Sequence, residues 1–124
     1  MVKAAELTVS EGWARASIPG AANGAAYVSL MNDSADNITL TGLSSEVSAK
    51  TELHTHVHED GMMKMQHVPE LTLRPGESVS MKPGSYHIML MGLTSPLRAG
   101  AELALVLKFS DGTSQRMTLA VRKP

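Results

Sequence analysis

Two histidines and two methionines stand at spacings that could gather them round one ion. They are His54, then Met65 after ten intervening residues, His87 after a further twenty-one, and Met89 after one more. Thioether sulfur is soft, uncharged and not protonated at ordinary pH. It contributes little to zinc, calcium or magnesium, whose preferred donors are thiolate, imidazole or oxygen. Soft sulfur selects Cu(I), while imidazole serves several metals. A set of two Met and two His therefore favours Cu(I) over the nitrogen- and oxygen-seeking Cu(II). Being neutral, it leaves the ion's charge incompletely compensated, which suits carriage and release better than turnover. The chain contains no cysteine, so thiolate zinc sites, iron–sulfur clusters, cysteine nucleophiles and Cys-ligated blue-copper centres are excluded.

These residues need elements to hold them. The chain alternates short apolar runs with turn residues and offers no convincing helical stretch. Candidate strands are Leu7–Val9, Trp13–Ile18, Ala25–Met31, Ile38–Leu43, Lys50–His58, Met62–Val68, Glu77–Met81, His87–Met91, Ala101–Phe109 and Gln115–Val121. Between them lie Pro19-Gly20, Asn23-Gly24, Asp60-Gly61, Pro75-Gly76, Pro83-Gly84 and Asp111-Gly112, residues that supply or preset turn dihedrals. Regular short strands with such punctuation predict an all-β sandwich or barrel. Asp60-Gly61 marks a hairpin joining Lys50–His58 to Met62–Val68. Tight-turn registers place His54 opposite either Met65 or His67, the first if Glu59-Asp60 forms the loop, and the sequence leaves both open. In the run His87-Ile88-Met89-Leu90-Met91 the period of two turns His87, Met89 and Met91 to one face and Ile88 and Leu90 to the core.

With 124 residues the chain is expected to form one domain, residues 1–124. Hydrophobic residues make up 43% and the net charge is -1, so the basic stripe of a nucleic-acid binder is missing. No apolar run approaches the length of a membrane span. Met1-Val2-Lys3 leads almost directly into Glu6-Leu7-Thr8-Val9, so no signal segment is expected within the chain. That fits either a cytoplasmic protein or a mature domain given a start Met. Nine methionines accompany only four aromatics. Methionine is an adaptable core filler, the reading taken for Met31, Met81 and Met117. Met91 is expected in packing beside the site and Met62 and Met63 at its rim. His56 and His58 are expected as solvated surface histidines, although a His-x-His chelate for Cu(II) or Zn(II) is conceivable. His67 is expected to be structural or exposed, Glu59 and Asp60 to be loop residues, and Trp13 a core anchor.

The spacing resembles the H-x10-M-x21-H-x-M signature of the PCu(A)C periplasmic copper chaperones. The resemblance extends to Trp13-Ala14-Arg15-Ala16, Asn23-Gly24-Ala25-Ala26-Tyr27, Asp60-Gly61-Met62-Met63-Lys64-Met65, Pro83-Gly84-Ser85-Tyr86-His87-Ile88-Met89-Leu90 and Pro96-Leu97-Arg98-Ala99-Gly100, nearly the whole chain. Chance placement of the four residues in a chain of this composition is expected about once in a thousand. The resemblance implies a cupredoxin-like Greek-key β-sandwich or barrel that binds one Cu(I) at an exposed site formed by His54, Met65, His87 and Met89. It also implies a monomer outside the cytoplasm, in the periplasm or on the outer membrane face, that passes copper to the CuA site of cytochrome c oxidase subunit II or to another copper-transfer protein. Some relatives carry a His- and Met-rich tail that binds Cu(II), whereas this chain ends at Arg122-Lys123-Pro124.

Two rivals come from other classes. His54-Thr55-His56 with Glu59, and Gly84-Ser85-Tyr86-His87, faintly match the two motifs of a cupin-like mononuclear metalloenzyme using histidine ligands. The Glu sits too close to the second His, and Met65 and Met89 go unexplained. A metal-free interaction module is the other, and would be indifferent to Met65 and His87 except in stability. If imidazole ligates, protons compete with copper as pH falls below the free-imidazole value of about 6.5.

Overall fold

The computed structural model describes residues 7–123 of the 124-residue chain. The reading of Met1–Glu6 as free of a signal segment lies outside the described residues, as does Pro124. Ten strands form: β1 (Thr8–Arg15), β2 (Asn23–Met31), β3 (Ile38–Ser44), β4 (Ser48–Glu59), β5 (Met62–His67), β6 (Leu71–Leu73), β7 (Ser78–Ser80), β8 (His87–Leu93), β9 (Glu102–Phe109) and β10 (Ser114–Arg122). Among the described residues no helix is long and apolar enough to cross a membrane. Strands β4-β8-β2-β1-β10-β9-β3 follow one another, and Leu43 of β3 pairs with Thr51 of β4, which closes a seven-stranded barrel. The short strands β6 and β7 and the longer β5 hang from this ring on β3, β2 and β4. The expected all-β sandwich or barrel is what forms.

Period-two alternation fills the barrel. Leu53 of β4, Ile88 and Leu90 of β8, and Val28 and Leu30 of β2 point inward with Leu105, Leu107 and Leu119. Each such side chain contributes about 1.5–3 kcal/mol on leaving water. Their neighbours in sequence, His54, His87 and Met89, therefore stand on the outer face of a wall that needs no ion to form. Strands β1 and β10 run parallel, Trp13 beside Ala120 and Arg15 beside Arg122, while the other pairings are antiparallel.

Three expectations change. The two strands read at Leu7–Val9 and Trp13–Ile18 are one, β1, carried through Glu11-Gly12 by a bulge with Glu11 at φ 47°. Gly12 lies so close to β10 that a Cβ there would stand 2.6 Å from Leu119 Cδ2, so the glycine marks a close approach and not a strand end. Strand β6 has no counterpart among the expected strands, because its three residues are too few to show a period. Met31, expected in the core, is 42% exposed, since alternation from buried Leu30 turns it outward. Met81 is buried and Met117 packs against the core, as expected.

Asn32 anchors the loops at one end of the barrel. Fully buried, it donates from Nδ2 to the Asp36 and Leu73 carbonyls at 2.7 and 2.8 Å and accepts at Oδ1 from Ser34 N–H at 3.0 Å. Trp13, half-buried against the core, meets the Tyr27 ring at 5.0 Å and lies beneath the Arg122 guanidinium at 4.9 Å.

Candidate metal centre

The site is built on three adjacent strands, β5, β4 and β8. Glu59 pairs with Met62, leaving Asp60 (φ 52°) and Gly61 (φ 76°) as a two-residue loop. Two successive positive φ values are the mark of a type I′ hairpin turn. This turn settles the register: His54 opposes His67, His56 opposes Met65, and His58 opposes Met63. The alternative with His54 directly opposite Met65 does not occur; Met65 is a diagonal neighbour, about 7–8 Å away between backbones and within reach of a long side chain. On the other side of β4, His54 opposes His87 and Glu52 opposes Met89.

One outer face thus carries Glu52, His54, His56 and His58 from β4, Met63, Met65 and His67 from β5, and His87 and Met89 from β8. The structure brings the imidazoles together. The His87 ring lies 5.1 Å from that of His56 and 6.0 Å from that of His54, and His54 lies 5.6 Å from His67. His87 is only 5% exposed. Met65 flanks this cluster towards the hairpin tip and Met89 on the opposite side, beside Glu52, where it also lines an open groove with Ile18, Asn23 and Ala25. The four expected ligands therefore share one face, with the two thioethers on opposite sides of the two histidines.

Hydrogen bonds decide which ring nitrogens are free. His87 Nδ1 lies 3.0 Å from the Ser85 carbonyl oxygen, an acceptor only, so Nδ1 carries the proton and Nε2 keeps its lone pair. His54 Nε2 lies 3.0 Å from Glu52 Oε1. The hydrogen bond from His54, with a further one from Lys50, holds the Glu52 carboxyl below its ordinary value against the upward push of burial. An ionised carboxylate accepts only, so His54 carries its proton on Nε2 and its lone pair on Nδ1. That Nδ1 is buried and has no protein partner, and neither has Nδ1 of His56. Buried ring nitrogens left unpaired are costly, and an imidazole lone pair is one that can be donated to a metal ion.

Among the described residues no three His, Asp or Glu side chains are placed to hold a metal ion by themselves. Glu59, the acid of the cupin-like reading, is exposed at the end of the hairpin strand. Beside the expected ligands, one expectation changes and one residue, Glu52, carries none from the sequence. His56, expected in solvent, is partly buried against His87, and Glu52 orients His54. Period two counted backwards and forwards from His54 puts both on its face.

Residues 7–121 match the family described as "Putative lipoprotein LpqE-like". The chain belongs to the LpqE-like family. A curated relative, "Putative lipoprotein Lxx21020" of Leifsonia xyli subsp. xyli, is 31% identical over 94% of this chain and 69% of its own length. Among solved structures, CuI-DR1885 from Deinococcus radiodurans is 33% identical, with a TM-score of 0.72 over 90% of this chain and 75% of that one. The copper-bound PCuAC domain from PmoF2 has the same fold at 20% identity, with a TM-score of 0.79 over 99% of this chain and 97% of that domain. This LpqE-like chain thus has the architecture of PCuAC domains.

Proposed function

We propose that this LpqE-like protein is a copper carrier, not an enzyme, that holds one Cu(I) with His54, Met65, His87 and Met89. The observation carrying this reading is the pair of ring nitrogens left free on one face, Nδ1 of His54 and Nε2 of His87, with thioethers on either side. Copper in the solved relatives supports it: CuI-DR1885 is 33% identical over nearly the same span. Along the strands, Met65 and Met89 stand level with His56 and Glu52, an offset of four residues or about 13 Å on a flat sheet. The hairpin must therefore fold towards β8 for both sulfurs to meet one ion. It is free to do so, because β4 pairs with β8 only as far as His54 and its last five residues continue with β5 alone.

The protein would act as a monomer outside the cytoplasm, in the periplasm or at the outer membrane face. Its recipient would be the CuA site of cytochrome c oxidase subunit II or another copper-transfer protein. The ion would exchange by stepwise substitution, a partner's sulfur or imidazole entering as a thioether leaves. Anaerobic Cu(I) titration against a chromophoric chelator tests the site. Wild type should take one tight equivalent, and Met89→Ala should weaken it by roughly tenfold or more. Uptake that is absent, or indifferent to Met89, would refute the ligand set.

A further inference from the structure

The donor face does not end at the inner ligands. Beyond His54 the β4–β5 hairpin continues with two more cross-strand pairs on the same face, His56–Met65 and His58–Met63. Directly opposed residues of this kind have Cβ atoms about 4.5–5.5 Å apart, close enough for both side chains to bind one ion. Resting on the Cu(I) reading of the inner site, we propose that the hairpin carries a second, outer Cu(I) position. Its ligands are His56, His58, Met63 and Met65, and the ion passes through it on the way to and from His87.

Three observations support this outer position. The first is its donor set: two imidazoles and two thioethers, the composition of the inner set. Glu59 and Lys64 belong to the alternate positions of the ribbon, and Glu52 lies behind His54, level with Met89, so no carboxylate stands among the outer four residues to favour a hard cation there. The second is exposure, which rises steadily outward, from 5% at His87 to 49% at Met65 and 56% at Met63. Every residue of β5 is exposed, and such a strand normally turns polar side chains to water, not methionines. The third is His56, whose Nδ1 is buried and unpartnered although the residue lies outside the four-residue motif.

Met65 belongs to both sets and so is the pivot. As the ion moves outward, new dative bonds form to His56, Met63 and His58 while those to Met89, His87 and His54 break. Copper stays Cu(I) throughout, no electron is transferred, and Met65 can remain bound.

The test compares wild type, His58→Ala/Met63→Ala and Met89→Ala. Anaerobic Cu(I) titration is followed by the methionine methyl and histidine ring NMR signals, and stopped-flow measures transfer to a chelator. His58 and Met63 are exposed, so the double variant should fold. It should keep the first equivalent within about twofold, lose a weaker second equivalent, and give up its ion roughly tenfold more slowly. Met89→Ala should still shift the Met63 and His58 signals. A double variant that retains the second equivalent, or transfers at the wild-type rate, overturns the outer position. A first equivalent untouched by Met89→Ala would instead count against the inner ligand set, and the Met63 and His58 signals would then judge the outer position independently.

Discussion

Replacing Glu52 probes the proposed site without removing any of its four proposed ligands. Its Oε1 accepts from His54 Nε2 at 3.0 Å, and its Oε2 lies 3.2 Å from Lys50 Nζ and 3.9 Å from His67 Nε2. The carboxylate keeps the His54 proton on Nε2 and so leaves the Nδ1 lone pair free, which on the proposed ligand set would face the ion. Removing such a partner from a ligating histidine costs about 10–100-fold in metal affinity, or about 1.4–2.7 kcal/mol. Glu52→Gln keeps the acceptor oxygen but loses the charge, and should fall near the lower end. Glu52→Leu removes both and should fall near the upper end. Lys50→Ala is the control. Its ammonium is 68% exposed, and exposed ion pairs contribute little, so Cu(I) affinity should stay within about twofold. Competition titration gives the affinities, and long-range nitrogen–proton NMR reads the His54 tautomer in the apo protein. If both Glu52 variants bind as tightly as wild type, or the tautomer is unchanged in Glu52→Leu, the orienting role is wrong.

Other outcomes follow from the same structure. Glu52 is held below its ordinary value by the hydrogen bond from His54, so the unfolded chain takes its proton first as pH falls. Its stabilising contribution is present above 4.5 and is lost through the lower folded value, so urea midpoints below that pH should fall more steeply for wild type than for Glu52→Gln. Ile88→Ala, in the core beneath the site, should cost about 2–5 kcal/mol in urea unfolding; a loss under 1 kcal/mol would mean the barrel wall is not packed as described. Asn32→Ala strips the Asp36 and Leu73 carbonyls of their donor and should cost about 1–3 kcal/mol by thermal melting. Gly61→Val forces a β-branched residue to φ 76° and should speed amide exchange in β5 while sparing β9 and β10. Uniform protection across all three strands would contradict the turn assignment.

The parts of the site that were legible are those governed by period two and turn chemistry. His87, Met89 and the inward Ile88 and Leu90 follow from alternation alone. The Asp60-Gly61 turn contained the register: a type I′ loop needs two residues at positive φ, and only Asp-Gly offers both cheaply. Glu59-Asp60 would have put two Cβ-bearing residues there. What stayed hidden depends on contacts between strands distant in sequence. That His56 tucks against His87 could not be read before β8 was known to lie beside β4. The β1 bulge was hidden likewise, because Glu11-Gly12 looks like a break until β10 arrives next to it. The three-residue β6 is too short for any period to declare itself.

The parallel pairing of β1 with β10 gives the barrel a polarity that matters for any attachment. Following the registers across β2 and β8, Thr8 lies towards the end of the barrel from which the β4–β5 hairpin projects, whereas Arg122 lies towards the other. A tether joined ahead of β1 would leave on the hairpin's side and turn the donor row towards whatever surface held it. A tether joined after β10 would hold the barrel the other way up, with the donor row facing outward. The point of attachment, and not the ligands, would then decide whether a recipient meets this protein beside the surface or away from it.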